Sequence, residues 1–270
     1  WKTTSGNSQS VFGIWYKMLP ESRILVVSSM YNVEAWIDRT INSVIRQKYD
    51  NYKYILVDDM SEDKTVDIAR RLTENVENVL VVTNTTKKYS LQNIYEGIQA
   101  LEPRKEDIIL TLDGDDWLAG TQVFNTVNQK YHESDCWMTW GSYLEFPQGI
   151  KGIESSAYPI EVLSDEKYNF RKGKWRVSHL RTFKYGLFEK IKYEDFLDWN
   201  NEFYKTSIDK AFMYPMIEMA RERSEFIDDI LYVYNFNNPL NVHKARRELQ
   251  LKTSRYLKEV KQPYSKIGEL

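Results

Sequence analysis

The chain has 270 residues, of which 42% are hydrophobic and 28% charged, a composition typical of a soluble globular protein. Its formal net charge of −2 leaves no overall basic field that would hold nucleic acid, so we expect no nucleic-acid partner. A single cysteine, Cys136, excludes disulfides within the chain and cysteine-rich zinc sites. No apolar run approaches the roughly 18 residues of a membrane-spanning helix, so none is predicted.

The chain begins with Trp1 rather than Met, so a signal or an anchor could have been removed from its N-terminus. From the residues given, without a membrane span, we expect a cytoplasmic protein. The sequence does not define an oligomeric state.

Strand-like and helix-like patterns alternate between residues 23 and 115. Short apolar runs predict buried strands at 24–27, 54–57, 79–82 and 107–112. Apolar residues at helical spacing predict helices over 37–45, 66–72 and 91–101, with Ser61 as the expected N-cap of the second one. This alternation indicates βαβ units, and therefore an α/β fold with a Rossmann-like, mostly parallel sheet flanked by helices.

The pattern is less regular after about residue 135. A strand is suggested at 135–140, residues 145–178 have no period, a helix follows near 207–221 and a strand near 231–235. We interpret the chain as one compact domain with four parts. They are an N-terminal arm (1–22), a nucleotide-binding half (23–141), an acceptor-facing half (142–240) and a C-terminal helical segment (241–270).

Three carboxylates follow the fourth predicted strand, at Asp113, Asp115 and Asp116. Carboxylates this close repel one another unless a cation or hydrogen-bond donors compensate their charge. Oxygen ligands suit Mg²⁺ or Mn²⁺, which bridge protein carboxylates to substrate phosphates. The alternative is a solvated acidic turn, although a polar turn does not need a buried strand to position it.

Polar residues also follow the first two strands. Ser29 and Tyr31 come after the first strand, and Asp58 and Asp59 after the second. The carboxyl ends of parallel strands share one sheet edge, so these residues are expected near Asp113. Tyr31 could stack on a base and Asp59 could accept a hydrogen bond from its ring N–H, whereas Asp58 could equally cap the next helix.

These segments, in this order, resemble the family 2 glycosyltransferases of GT-A fold. The resemblance covers about residues 23–120 and extends more weakly into the second half. It is carried by the segments 26–32, 57–65 and 112–116, and more weakly by 183–190 and 207–212.

The resemblance implies transfer of a sugar from a nucleotide-sugar donor, with inversion at the anomeric carbon and with Mn²⁺ or Mg²⁺ as cofactor. Asp113 and Asp115 match the family's DxD motif, in which the second carboxylate binds the metal. Ser29, Tyr31, Asp59 and Asp113 are expected to bind the donor nucleotide, commonly uridine diphosphate. Asp209 matches the general base, although many members have Glu where this chain has Ile208.

Further candidates are weaker. His243 could be a metal ligand, or a surface residue at the start of the last helix. His179 and Arg181 could contact the diphosphate or the acceptor, or have a structural role. Lys88 could face the phosphates, or form part of a solvated pair with Lys87.

Two rival functions share this architecture. A sugar nucleotidyltransferase would carry a Gly-rich, basic loop after the first strand, where this chain has the segment 28–32. A non-catalytic module could keep the fold and bind a nucleotide or sugar without turnover, although the paired Asp113 and Asp115 favour an enzyme. The acceptor of the predicted transferase is a glycan, a protein or a lipid.

Overall fold

A computed structural model describes residues 19–240 and 246–270, and its central feature is one mixed nine-stranded sheet. The strand order is β3-β2-β1-β4-β8-β6-β9-β5, with β7 paired to β6. The strands are β1 (Ile24–Met30), β2 (Tyr52–Asp58), β3 (Val79–Thr83), β4 (Ile108–Thr111), β5 (Trp117–Leu118), β6 (Met138–Phe146), β7 (Ile150–Lys151), β8 (Arg181–Lys184) and β9 (Ser224–Asn235).

Helices cover both faces of this sheet, as the alternating pattern predicts for a parallel α/β fold. Two short 3₁₀ helices, Tyr193–Phe196 and Arg221–Arg223, complete the regular structure of the described ranges. The α-helices are α1 (Ile37–Ile45), α2 (Thr65–Thr73), α3 (Tyr89–Ala100), α4 (Val123–Ser134), α5 (Ile160–Ser164), α6 (Tyr185–Phe188), α7 (Ile208–Ala220) and α8 (Arg247–Glu259).

Strands β1 to β4 are all parallel, which confirms the prediction for the first part of the chain. We call these strands, with α1 to α3, the parallel half. Its helices pack closely on the sheet: a Cβ added to Gly97 of α3 would lie 2.9 Å from Val27 and 3.2 Å from Val57. The absence of a side chain at Gly97 therefore sets how near α3 approaches β1 and β2.

The rest of the sheet, β5 to β9, together with α4 to α7, is the mixed half. Strand β8 runs antiparallel to β4 and β6, whereas β6 and β9 pair in parallel with a shift in register after Gly141. The sequence predicts only residues 231–235 of β9. In its first part only Ser224 and Ile227 are buried, and Asp228 and Asp229 are exposed, so it lacks the continuous apolar run of a central strand.

One local prediction is wrong. Ser61 is not the N-cap of the second helix, because α2 begins at Thr65. The Ser61 hydroxyl instead accepts a hydrogen bond from the backbone N–H of Asn32, 2.9 Å away, and so joins the loops after β1 and β2.

A buried ion pair next to the C-terminal helix α8 connects it to α7. The guanidinium of Arg171 donates two hydrogen bonds to the Glu218 carboxylate, at 2.7 and 2.8 Å, and a third to the carbonyl of Leu257. Both charged side chains are at most 3% exposed. The ion pair thus joins an irregular loop, α7 and α8.

None of the helices within residues 19–240 and 246–270 has the length and apolar character needed to cross a membrane.

Candidate active site

The acidic loop, residues Asp113 to Asp116, lies directly against the end of β1. A Cβ added to Gly114 would lie 2.8 Å from the carbonyl oxygen of Ser29 and 2.9 Å from Cβ of Met30. Real side chains do not approach backbone this closely, so only glycine allows the loop to close against β1. The Thr40 hydroxyl fixes the same turn by donating to the Gly114 carbonyl at 3.0 Å.

The mixed half holds two of the loop's carboxylates. Asp116 is buried and accepts hydrogen bonds from the Tyr232 hydroxyl (2.6 Å) and from the backbone N–H of Asn235 (2.7 Å). Asp115 accepts one from the side-chain amide of Asn238 at 2.7 Å. Sequence reasoning missed these three partners, although the asparagine-rich run 235–238 was a visible signal for polar contacts at the end of a strand.

The three carboxyl groups of the acidic loop have raised pKa values. Burial, and then the charge of Asp113, raise the pKa of Asp115 to about 6. Burial also raises the pKa of Asp113 and raises that of Asp116 well above its ordinary value. A divalent cation would relieve this repulsion, and the oxygen donors fit Mg²⁺ or Mn²⁺.

His179 lies beside this loop. Asp113, Asp116 and His179 each place one potential metal-ligand atom within 4.8 Å of the other two. However, Nη2 of Arg181 lies 2.9 Å from Nε2 of His179, and a guanidinium can only donate. Nε2 must therefore accept, which puts the ring proton of the neutral imidazole on Nδ1.

The neutral form of His179 is favoured by its surroundings. Burial and the nearby charge of Arg181 lower the pKa of His179 well below its ordinary value. Its ring stacks on Tyr232, with centroids 4.3 Å apart. In this arrangement His179 is a hydrogen-bond donor rather than a metal ligand, so the carboxylates are the better ligand set.

The predicted nucleoside residues lie on the neighbouring strands. Asp59 is 3% exposed, and its carboxylate accepts hydrogen bonds from the backbone N–H groups of Lys88 (2.8 Å) and Tyr89 (3.0 Å). Burial raises the pKa of Asp59, but the hydrogen bonds and the charge of Lys87 outweigh it, and the net shift is downward. The Asp59 side chain thus fixes the start of α3.

Ser29 and Tyr31 lie at the end of β1. The Ser29 hydroxyl accepts a hydrogen bond from the Asn93 amide at 3.0 Å. Tyr31 is 39% exposed, and the ammonium group of Lys87 lies over its ring. One face of the predicted stacking platform is therefore covered by a lysine.

The remaining predicted residues divide into three cases. Asp209 lies in the first turn of α7; burial raises the pKa of Asp113, the charge of Arg181 opposes this, and the charge of Asp209 adds to the rise. The ammonium group of Lys88 pairs with the carboxylate of Glu96 in α3 at 2.7 Å. His243 lies outside the described residues.

In α/β sheets of this kind, ligands bind at the loops that follow the carboxyl ends of the parallel strands, which is where the acidic loop lies. Residues 25–192 match the model of the family described as "Glycosyl transferase family 2". The chain belongs to this family and is a glycosyltransferase.

Individual relatives agree with this assignment. The chain is 26% identical to glycosyltransferase GlyG of Streptococcus pneumoniae over 216 residues, which covers 78% of this chain and 70% of GlyG. It is also 26% identical, over 147 residues, to WfaP of Escherichia coli, a UDP-Glc:alpha-D-GlcNAc-diphosphoundecaprenol beta-1,3-glucosyltransferase. That match covers 54% of this chain and 56% of WfaP.

The fold is shared with solved GT-A glycosyltransferases. S. aureus TarS 1-349, crystallised with UDP-GlcNAc, superposes with a TM-score of 0.55 at 14% identity, over 80% of this chain and 59% of TarS 1-349. The mannosyltransferase PcManGT from Pyrobaculum calidifontis, in complex with GDP-Man and Mn²⁺, gives a TM-score of 0.54 at 16% identity, over 80% and 57%. At these identities the likeness establishes the GT-A fold alone.

Proposed function

We propose that this glycosyltransferase uses a nucleotide-sugar donor, with UDP as the favoured nucleotide. The sugar is transferred in a single displacement that inverts the configuration at the anomeric carbon and depends on a divalent cation. One observation carries the proposal: three carboxylates, Asp113, Asp115 and Asp116, lie in a loop that packs against the end of β1, beside the residues expected to bind the nucleoside. Such a group of oxygen ligands suits a divalent cation that neutralises a diphosphate. We assign donor binding to residues 23–141 and acceptor binding to residues 142–240.

In this proposal Asp113 and Asp115 would hold Mn²⁺ or Mg²⁺, which would neutralise the negative charge that develops on the leaving diphosphate. Burial and mutual repulsion of these carboxylates support this assignment, because both favour a bound cation. Gly114 keeps the loop against β1, so the two carboxylates stay beside the nucleoside residues.

Asp209 acts as the general base. It accepts the proton of the acceptor hydroxyl as that oxygen attacks the anomeric carbon, while the bond from this carbon to the diphosphate oxygen breaks. A single carboxylate suffices, because no covalent intermediate with the enzyme forms. The acceptor is a hydroxyl of a glycan, a protein or a lipid.

The nucleoside lies on the β1 and β2 side of the loop. Tyr31 offers a partly exposed ring for stacking, once the Lys87 ammonium moves from its face. Asp59 contributes through the loop that it fixes at the start of α3.

A thermal-shift panel of UDP, GDP, CDP and ADP, each with Mn²⁺ or with EDTA, tests the donor site. Ligand binding to the native state raises the melting temperature. We expect a rise for UDP that requires Mn²⁺. A rise for a different nucleotide would mean that the donor carries that nucleotide instead of UDP. No rise for any of the four would contradict the proposal. Donor hydrolysis then separates an enzyme from a module that only binds.

A further inference from the structure

Among the buried side-chain polar atoms for which the described residues provide no hydrogen-bond partner, three belong to neighbouring positions at the carboxyl end of β4 and the start of β8. They are the Thr111 hydroxyl, Nδ1 of His179 and Nε of Arg181. Thr111 and Arg181 are register partners in the β4–β8 pair, and His179 is two residues from Arg181. Buried donors without partners are costly, so such a group indicates a ligand.

Arg181 is the strongest member of this group. Arg181 is only 7% exposed, and its charge acts on the neighbouring Asp113 without a salt bridge among the described residues. One nitrogen, Nη2, is used to hold His179. Nε of Arg181 and Nδ1 of His179 therefore remain as two N–H donors beside Asp113.

His179 is firmly positioned for such a role. Its ring stacks on Tyr232 at 4.3 Å and on Tyr234 at 5.5 Å, and meets the edge of Tyr143 at 5.7 Å. Three aromatic side chains thus fix the ring plane, and the hydrogen bond from Arg181 fixes which nitrogen donates. A donor held in this way discriminates between ligand oxygens by position.

The order of the strands indicates which part of a donor would reach these atoms. Across the sheet the order is β2, β1, β4, β8. The nucleoside candidates follow β2 and β1, the acidic loop follows β4, and Arg181 begins β8 at the same edge, opposite Thr111. Neighbouring strands are about 4.8 Å apart, so β8 lies roughly 10 Å from β1. A nucleotide sugar has the same linear order of nucleoside, diphosphate and sugar.

We propose that Arg181 and His179 bind the transferred sugar of the donor, by donating hydrogen bonds to its hydroxyl oxygens, and thereby select which sugar is transferred. This inference rests on the proposed function. It assigns the pair to the sugar rather than to the diphosphate, which lies at the acidic loop. An epimer whose hydroxyl points elsewhere leaves both donors unpaired and is rejected for that reason.

The test separates sugar binding from nucleotide binding. Calorimetry with Mn²⁺ measures the affinity for UDP and for UDP-glucose, UDP-galactose and UDP-N-acetylglucosamine, in the wild type and in Arg181→Gln and His179→Phe. His179→Phe keeps an aromatic ring for stacking and removes the donor, so it carries the test if Arg181→Gln does not fold. Arg176→Met and His132→Phe are controls that change the same residue types away from the group formed by Arg181 and His179.

We expect the wild type to prefer one UDP-sugar over the others and over UDP. In both variants the affinity for UDP should stay within about twofold, while the preference for one sugar falls by about tenfold or more. The controls should behave as the wild type does. Unchanged sugar preference in both variants would overturn the inference, and so would an equal loss of UDP affinity, which would place the pair on the diphosphate. Failure of the wild type to bind any nucleotide in the preceding panel would instead contradict the proposed function, on which this inference depends.

Discussion

The parallel half and the mixed half differ in how far apart in the sequence their stabilising partners lie. In the parallel half, consecutive strand-helix units pack on one another, and each loop that reaches the site directly follows its own strand. In the mixed half the partners are distant: Tyr232 and Asn235 hold Asp116 from more than a hundred residues away. The parallel half thus carries the residues proposed to bind the donor, and the mixed half holds Asp115 and Asp116 in place and adds the candidate base.

The largest expected effect separates the roles of the two halves. Replacing Asp209 by Asn should lower glycosyl transfer roughly 100- to 10,000-fold, because a general base is lost, while nucleotide binding remains. Donor turnover and UDP affinity, measured on the same preparation, check this. Asp198→Asn, outside the site, is the control. Full turnover in Asp209→Asn would remove this residue from the mechanism.

The next effect concerns stability and the mixed half alone. Glu218→Ala should lower the free energy of unfolding by about 3–5 kcal/mol, because Arg171 would remain buried without its counter-charge. Denaturant unfolding measures it. The partly exposed pair Lys205 and Glu202 offers the comparison: Glu202→Ala should cost less than about 1 kcal/mol, since solvent screens that pair.

A double change makes this prediction sharper. If the cost in Glu218→Ala comes from an uncompensated charge, Arg171→Met combined with Glu218→Leu should recover most of the lost stability. A double variant as unstable as Glu218→Ala would show that the hydrogen bonds from Arg171 to the Leu257 and Lys261 carbonyls carry the stability instead.

A smaller effect tests the contact between the acidic loop and β1. Gly114→Ala should cost about 1–3 kcal/mol of stability, because the new methyl group would meet backbone atoms of Ser29 and Met30. It should also weaken Mn²⁺-dependent UDP binding, since the loop must move. Gly120→Ala is a useful contrast, because no atom lies within 4 Å of the added Cβ and only its positive φ opposes the change. If Gly114→Ala bound UDP with wild-type affinity, the close contact between the acidic loop and β1 would not be needed for nucleotide binding.

The smallest effect concerns the nucleoside. Tyr31→Ala should weaken UDP binding about tenfold, while Tyr31→Phe, which keeps the ring, should bind as the wild type does. Calorimetry distinguishes the two. Equal affinity in all three proteins would mean that the base does not stack on this ring, which Lys87 covers in the structure described here.

Much of the parallel half was predictable, because its signals are local. Strands β1 and β2 and helices α1 and α3 lie where apolar runs and helical spacing place them. The error at Ser61 has a physical reason: a serine before an apolar run favours an N-cap, but this hydroxyl is bound instead to the β1 loop.

The mixed half was less predictable, because its features depend on long-range contacts. The first part of β9 lacks an apolar run, and nothing local pairs Arg171 with Glu218 or Asn238 with Asp115. The position of His179 beside Asp113 depends on the pairing of β4 with β8, which a sequence pattern does not specify. The residue types of the site were therefore predictable, whereas most of their partners were not.

Proton and phosphorus nuclear magnetic resonance can follow a UDP-sugar as the enzyme transfers its sugar to water, and so tests metal dependence and stereochemistry together. Wild-type protein with Mn²⁺ should release UDP and, in the first minutes, the sugar of inverted anomeric configuration. EDTA or Asp115→Asn should stop the release. Retained configuration, or release that neither EDTA nor Asp115→Asn affects, would contradict a metal-dependent single displacement at the junction of the two halves.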